Sequence, residues 1–303
     1  MARHPRAEGD DDPASLRVQR ADRLLRRCLG AASLLSGSVV LLILLFLVRE
    51  SIPAWESVGP TRFLSDGGWF PAGGPEGQFD LGPMLWGTAL LTLGALLLAT
   101  PMGLAVAIYG RFYAPRALVR PLRRVVEVLA GVPSVVYGFW GLVTLVPLIQ
   151  NWRPPGQSLL AGLLILALMV LPTLALMSEA ALRAVPRTLL DGAAALGLDR
   201  WATVRGVAMP AALPGIASGV LLATVRALGE TMAVLMVCGN VVQVPGSVFD
   251  PVRSLTANIA LEMGYATAHH RSALFVSALA LMALVALLIA GVEWLGRGKE
   301  AHG

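Results

Sequence analysis

Charged residues are scarce in this sequence, at 14% of 303 positions against about 25% in soluble domains. That scarcity excludes an ordinary soluble fold. Cysteine occurs only twice, and Cys28 and Cys238 fall on opposite sides of the predicted membrane, whereas a disulfide requires Cα atoms within about 7 Å. We therefore predict neither a disulfide nor a metal site. The single lysine, Lys299, belongs to no Gly-x-x-x-x-Gly-Lys-Ser/Thr loop, which excludes ATP binding of the P-loop kind.

Long apolar runs take the place of charge. Apolar residues make up 56% of the chain and the mean hydropathy is +0.69. The runs reach about twenty residues, which is enough to cross about 30 Å of hydrocarbon. We predict an all-α polytopic membrane protein with six transmembrane helices, at residues 29–48, 81–109, 125–149, 159–177, 214–239 and 272–292. No small-residue cleavage pattern follows the first run, so it is interpreted as a retained helix rather than a secretory signal.

Basic residues are distributed unevenly between the predicted loops. Eighteen of the 24 lie on one side together with both termini, five lie on the other, and Arg226 lies within a span. Such an excess marks the cytoplasmic side, so both termini are predicted to be cytoplasmic. A basic nucleic-acid surface would not alternate in this way, and we expect no nucleic-acid partner.

The outer segment after the first span, residues 49–80, is rich in glycine, proline and aromatic residues. Its large aromatic side chains are Trp55, Phe63, Trp69, Phe70 and Phe79. They predict either an aromatic belt at the membrane interface or a surface for a partner outside the membrane.

Helix-breaking residues interrupt several spans. Pro101 lies in the second span, Gly131-Val132-Pro133-Ser134 in the third and Pro172 in the fourth. Membrane helices break where the freed backbone faces protein or a water-lined cavity, and transporters use such ends as ion sites. A packing kink explains any single break equally well, but together the breaks favour a solute pathway.

The fifth span contains the most informative charges, Arg226 and Glu230. A charge at the bilayer centre costs about 2.5 to 3.5 kcal/mol on insertion scales, so such groups usually mark a substrate or ion path. Residues four apart share a helix face, so a structural ion pair is the alternative interpretation.

The functional interpretation is an oxyanion pathway. The guanidinium of Arg226 offers a planar fork of donors suited to a tetrahedral oxyanion. Phosphate keeps a proton at neutral pH and can donate a hydrogen bond to Glu230, whereas sulfate has no such donor. Thr224, Thr231 and Ser134 are candidate hydroxyl donors along the same path.

The segment between the fourth and fifth spans predicts a short cytoplasmic helix. Pro186 suits its start and Gly197 suits its C-terminal stop. An interfacial amphipathic element is the default interpretation, but the order of residues is more specific. The relevant positions are Asp191-Gly192-Ala193, Gly197, Val207 and Met209-Pro210. Their spacing resembles the EAA loop of ABC importer permeases, whereas the literal Glu179-Ala180-Ala181 is followed by Val185 where the motif has glycine.

Within that family the chain resembles the PstC-type permease subunits of phosphate importers. The resemblance is carried by residues 76–79, 85–88, 131–138 and 226–236. PstA-type subunits share relatives of the Pro-Ser-Val-Val-Tyr-Gly and Gly-Glu-Thr motifs, so the Glu-Gly-Gln-Phe segment and the Met-Ala-Val-Leu-Met continuation select the PstC type.

The resemblance implies an ABC importer type I permease fold in a bacterial inner membrane. It also implies a PstA-type heterodimer partner, a periplasmic phosphate-binding protein and an ATPase subunit dimer that holds the ATP, so this chain needs no cofactor. The ATPase-coupling residues would be Asp191, Gly192, Ala193, Gly197 and Pro210. The implied organisation is an N-terminal tail (1–28), a first span (29–48), a periplasmic loop (49–80), a permease core (81–295) with a coupling loop (178–213), and a C-terminal tail (296–303).

Three alternatives remain open from the residues alone. An ABC permease for another oxyanion, such as sulfate or molybdate, would also use Arg226. An ion-driven anion carrier would work without ATP, and an inverted repeat of the spans would support it. A membrane scaffold or sensor without transport would use Arg226 and Glu230 as a structural pair.

Overall fold

The computed structural model describes residues 13–300. The described chain divides into two units, one ending at Glu50 and the other beginning at Ser51. Helix α1 begins at Pro13, so residues 13–28, predicted as a tail, are helical, whereas residues 1–12 lie outside the described part. The last helix likewise continues to Glu300 through most of the predicted C-terminal tail, of which residues 301–303 are not described.

Twelve α-helices occupy most of residues 13–300. They are α1 (Pro13–Ser57), α2 (Gly82–Ile108), α3 (Arg116–Gly131), α4 (Ser134–Trp140), α5 (Val146–Gln150), α6 (Leu159–Ala184), α7 (Arg187–Ala195), α8 (Arg200–Thr203), α9 (Met209–Leu228), α10 (Met232–Val237), α11 (Leu255–Glu262) and α12 (Ala268–Glu300). Three π-helical turns follow α2, α4 and α8 without a gap, at Tyr109–Tyr113, Gly141–Leu145 and Val204–Ala208.

Five helical segments of the described chain are long and apolar enough to cross a membrane, and a bent pair of helices makes a sixth if it crosses as one span. The five are Leu24–Ser57, Gly82–Tyr113, Leu159–Ala184, Arg200–Leu228 and Ala268–Gly291. The sixth consists of Arg116–Gly131 and Ser134–Gln150, which meet at 91°. The predicted all-α fold with six spans is therefore confirmed, but a continuous helix over 125–149 is wrong. Val132 and Pro133 adopt extended backbone because proline lacks an N–H and disfavours helical conformation in the residue before it.

The core of the second unit lies where α2, α6 and α9 pack together. Leu91, Ile165 and Met169 are almost completely buried there. Inside a membrane, exclusion from water does not drive helices together, so their association depends on close packing. Small residues at the interface permit that close packing. A Cβ atom on Gly219 of α9, for example, would lie 2.8 Å from the Cβ atom of Met177 on α6.

The outer segment folds into a small hairpin. Strand β1 (Trp69–Phe70) pairs antiparallel with β2 (Gln78–Phe79), with Trp69 opposite Phe79. The ring of Phe79 makes edge-to-face contacts with Phe63 and Trp69, and Phe63 and Phe79 are buried. Phe63 and Phe79 therefore pack inward, whereas a membrane-interface belt or a partner surface would have exposed them. Trp55 and Phe70 are exposed.

Candidate anion pathway and coupling loop

The helix carrying Arg226 ends two residues after it. Helix α9 stops at Leu228, residues 229–231 form a break, and α10 begins at Met232. The continuous helix predicted over 214–239 is therefore wrong, and Arg226 lies in the last turn of α9 rather than in mid-helix. Gly229 has low helix propensity, and the Oε1 atom of Glu230 accepts a hydrogen bond from the Ala233 N–H at 3.1 Å, which caps α10. Both features favour a break at this position.

The guanidinium of Arg226 is exposed and bonds to one side chain of α6. Its Nη1 atom donates to Thr173 Oγ1 at 3.3 Å, and no ion pair of the described residues includes it. The C-terminal end of a helix favours a cation because its last carbonyls carry partial negative charge. Because Thr173 is the one hydrogen-bond partner of the guanidinium in the described structure, its remaining N–H groups are available to an anion at the end of α9.

Glu230 is half-buried and forms no ion pair with Arg226 in the described structure. The alternative of a structural ion pair is wrong because α9 ends before Glu230, so the two residues no longer share a helix face. Thr231 lies beside it in the break, where its hydroxyl donates to the Gly229 carbonyl at 3.2 Å. The break thus contains a carboxylate and a hydroxyl close in sequence to the guanidinium.

Ser134 begins α4, directly after the bend of the third span. Helix α4 packs closely on α10, since a Cβ atom on Gly138 would lie 2.7 Å from the Cα atom of Ala233. The Tyr137 hydroxyl donates to the Leu129 carbonyl at 2.8 Å, which joins α4 to the end of α3. The structure therefore brings the broken parts of the third and fifth spans together.

Thr173 was not among the residues predicted for the pathway. It directly follows Pro172, which the sequence marked as a helix breaker and which could have drawn attention to it. The break predicted there is wrong, since α6 continues through Pro172, as α2 does through Pro101. Thr256 was missed as well, although its hydroxyl donates to the Glu230 carbonyl at 2.8 Å. No local sequence pattern distinguishes Thr256, because its partner lies 26 residues away.

The cytoplasmic segment contains the predicted short helix, α7, and the predicted stop. Gly197 has a φ of +72°, which glycine adopts with little strain. Its N–H donates to the Ala194 carbonyl at 3.0 Å, and the Leu198 N–H donates to the Ala193 carbonyl at 3.1 Å. This pair of bonds is a Schellman motif. Because a Cβ on Gly197 would meet no atom within 4 Å, the backbone conformation rather than space requires glycine here.

The coupling residues lie on two faces of this segment. Ala193 is buried, whereas Asp191, Gly192 and Gly197 are exposed. The apolar side chain of Leu196 is 81% exposed. Pro210 is exposed in the first turn of α9. The segment thus presents a carboxylate and an apolar side chain outward while Ala193 packs inward.

Comparisons with known proteins identify the family. Residues 99–300 match the family model described as the binding-protein-dependent transport system inner membrane component. The probable ABC transporter permease YqgH of Bacillus subtilis is 38% identical over 246 residues, covering 80% of this chain and 79% of the relative. The phosphate transport system permease PstC of Mesorhizobium japonicum is 33% identical over 279 residues, covering 84% and 83%.

A solved structure shares the fold. In a bacterial ABC transporter for import of the acidic polysaccharide alginate, one chain superimposes with a TM-score of 0.60 at 14% identity, covering 92% of this chain and 98% of that one. The family model spans two thirds of the sequence, including both broken spans and the Gly197 segment. This chain therefore belongs to the family of inner-membrane components of binding-protein-dependent transport systems.

Proposed function

We propose that this chain is the membrane-spanning permease subunit of an ATP-driven importer that moves inorganic phosphate into the cytoplasm. The observation that carries the proposal is the Arg226 guanidinium, exposed at the end of α9 with a single hydroxyl partner in the described structure. Relatives such as the PstC protein of Mesorhizobium japonicum support the choice of phosphate.

Arg226 and Glu230 divide the recognition of phosphate between them. The guanidinium donates to two phosphate oxygens in the bidentate manner that suits its planar fork. A carboxylate accepts hydrogen bonds only, so Glu230 can accept one from an anion that carries a proton, whereas an anion without a proton meets only repulsion. Thr231 and Ser134 add hydroxyl groups on the two broken spans.

Coupling to ATP takes place through α7 and the turn that follows it. An ATPase subunit dimer outside this chain binds the nucleotide and contacts the exposed face of Asp191, Gly192 and Gly197, with Pro210 at the start of α9. Closure of that dimer moves α7, and the rigid connection into α9 carries the motion to the Arg226 end. This chain itself requires no cofactor.

A PstA-type subunit completes the channel, and a periplasmic phosphate-binding protein delivers the solute. The distribution of arginine supports cytoplasmic termini in a bacterial inner membrane. An importer of another oxyanion, such as sulfate or molybdate, is the second candidate. It is favoured by one observation, the hydrogen bond that engages Glu230 Oε1 with the Ala233 N–H, which gives Glu230 a structural use that needs no protonated solute.

Competition by other oxyanions distinguishes the two candidates. In cells or proteoliposomes with the whole importer, unlabelled phosphate should compete with labelled phosphate uptake, and sulfate and molybdate should not.

Glu230→Gln keeps an oxygen that can accept from Ala233 N–H but removes the charge, so this variant should lose discrimination against sulfate or lose phosphate transport. Glu76→Gln, an exposed outer position, is the control. Sulfate competition in the unmodified importer would favour the second candidate.

A further inference from the structure

Glu262 lies buried on the outer side of the second unit, where three segments meet. Glu262 is only 7% exposed. The Oε2 atom accepts from Trp69 Nε1 of the hairpin at 2.7 Å and lies 2.7 Å from His270 Nε2 of α12. The Oε1 atom accepts from Arg253 Nη1 at 2.6 Å. We refer to Trp69, Arg253, Glu262 and His270 as the outer network.

The outer network fixes the C-terminal end of α11. A buried carboxylate is costly unless it is paired and hydrogen-bonded, and Glu262 meets both conditions only in this arrangement. Arg253 extends the network, since its Nε atom donates to the Asn240 carbonyl at 2.8 Å and its Nη1 atom to Asn258 Oδ1 at 3.1 Å. The last residue of α11 is therefore tied to the hairpin, to α12 and to the chain that follows α10.

The first turn of α11 reaches the break in the fifth span. The buried Thr256 hydroxyl donates to the Glu230 carbonyl at 2.8 Å. The Leu255 N–H donates to Thr88 Oγ1 of α2 at 3.0 Å. The Glu230 carbonyl lies between two helices, so this hydroxyl satisfies a group that a continuous helix would have paired internally.

We propose that α11 connects the outer hairpin to the pathway and that Thr256 is a positioning residue for the break at 229–231. The outer network anchors one end of α11, and Thr256 at the other end sets the backbone from which the Glu230 side chain and the last turn of α9 project. A rearrangement of the exposed hairpin then reaches Arg226 and Glu230 through eight residues of rigid helix. The transport consequence rests on the proposed function, but the backbone consequence does not.

Thr256→Val tests the contact because valine keeps the branched shape and removes the donor. We expect faster amide hydrogen exchange over residues 229–235 and a loss of uptake of up to roughly tenfold, the range of one hydrogen bond. Thr256→Ser keeps the hydroxyl and should restore both. Thr267→Val, at an exposed position before α12, is the matched control and should change neither.

Trp69→Phe tests the anchor from the other end. It removes the N–H donor to Glu262 and keeps an aromatic ring against Phe79 and His270. Exchange over residues 229–235 should rise in this variant as well, and the exposed Trp152→Phe on the same side should leave it unchanged. In a variant with both Trp69→Phe and Thr256→Val, the increase in exchange should be smaller than the sum of the two single increases, because both substitutions act through α11.

Two results would overturn the proposal. One is exchange over residues 229–235 in Thr256→Val equal to that in Thr267→Val, and the other is faster exchange with uptake unchanged. Wild-type protein that transports no phosphate at all would instead contradict the proposed function, and the exchange measurements would still decide the positioning role.

Discussion

At the scale of single residues, Arg226 shows how a charge is accommodated within a span. The helix ends two residues later, so the cation lies at the negative end of α9 and not in a continuous helix. Thr173 occupies one donor, and no carboxylate of the described chain neutralises the charge. A cation with this cost and without a carboxylate partner among the described residues is the feature on which the proposed anion pathway rests.

Arg226→Ala should therefore abolish phosphate uptake while leaving the importer assembled. Arg226→Lys keeps the charge but loses the planar fork, so it should retain only part of the activity. Uptake of labelled phosphate and co-purification of the subunits are the measurements, with the exposed outer Arg153→Ala as control. Normal uptake by an assembled Arg226→Ala importer would contradict the pathway assignment.

At the scale of elements, α7 and its stop form a short unit that is defined by local contacts. The two hydrogen bonds around Gly197 end the helix, Ala193 is buried, and α7 packs on the turn at Val204–Ala208. Most residues of α7 are exposed, so a change in the direction of the chain at Gly197 alters how this surface is presented to a partner.

Gly197→Val should uncouple ATP hydrolysis from transport. A branched residue at positive φ is strained by about 1–2 kcal/mol, and the strain shifts α7. Gly73→Val is a matched control, because Gly73 lies in the outer segment, has no positive φ, and a Cβ there would meet no atom within 4 Å. The ratio of ATP hydrolysed to phosphate taken up is the measurement, and full coupling in Gly197→Val would exclude a docking role.

The outer hairpin depends on an ion pair that lies outside the membrane. Arg62 donates to both carboxylate oxygens of Asp66, at 3.0 and 2.8 Å, and the Phe79 N–H donates to Asp66 at 2.9 Å. The Arg62 hydrogen bond is the largest cause that lowers the pKa of Asp66 below its usual 3.8. A lowered pKa contributes stability that is fully present above the unfolded value and is lost as the pH falls through the folded value.

Asp66→Asn should accordingly lower the thermal midpoint at pH 7, and the difference from wild type should shrink as the pH falls below about 3.8. Tryptophan fluorescence during heating is a suitable measurement because Trp69 lies in the hairpin. A difference that stayed constant down to pH 3 would mean that ionisation of Asp66 does not stabilise the hairpin.

At the scale of the whole molecule, six spans and the arginine distribution together predict that both termini lie on the cytoplasmic side. An even number of crossings returns the chain to its starting side, and the basic loops lie on that side. The bent third span counts as one crossing in this scheme.

Reporters fused to the termini and to a loop can check this orientation. A reporter active only in the cytoplasm should be active at both the N-terminus and residue 303, and inactive after Arg153, in the loop between α5 and α6. A reporter that is active after Arg153 and inactive at residue 303 would show that the bent pair does not cross the membrane.

The sequence by itself determined the class of protein, the number of spans, the charged pair of the fifth span and the glycine stop of α7. Each depends on composition or on residues close together in the chain, such as the nine positions from Arg187 to Ala195. The break of the third span was visible as Gly131 and Pro133, but its 91° bend, the break of the fifth span and the separation of Arg226 from Glu230 were not. Pro101 and Pro172, predicted as helix breakers, lie inside continuous helices.

Only the tertiary structure decided which groups those side chains contact. Arg226 meets Thr173 across 53 residues of sequence, and Trp69 meets Glu262 across 193. Such pairs leave no periodic or local signal, because the spans that join them are placed by packing of small and apolar residues that many sequences share. Tertiary contacts likewise bury Phe63 and Phe79, which were predicted to form a belt or a partner surface, and leave Phe70 exposed.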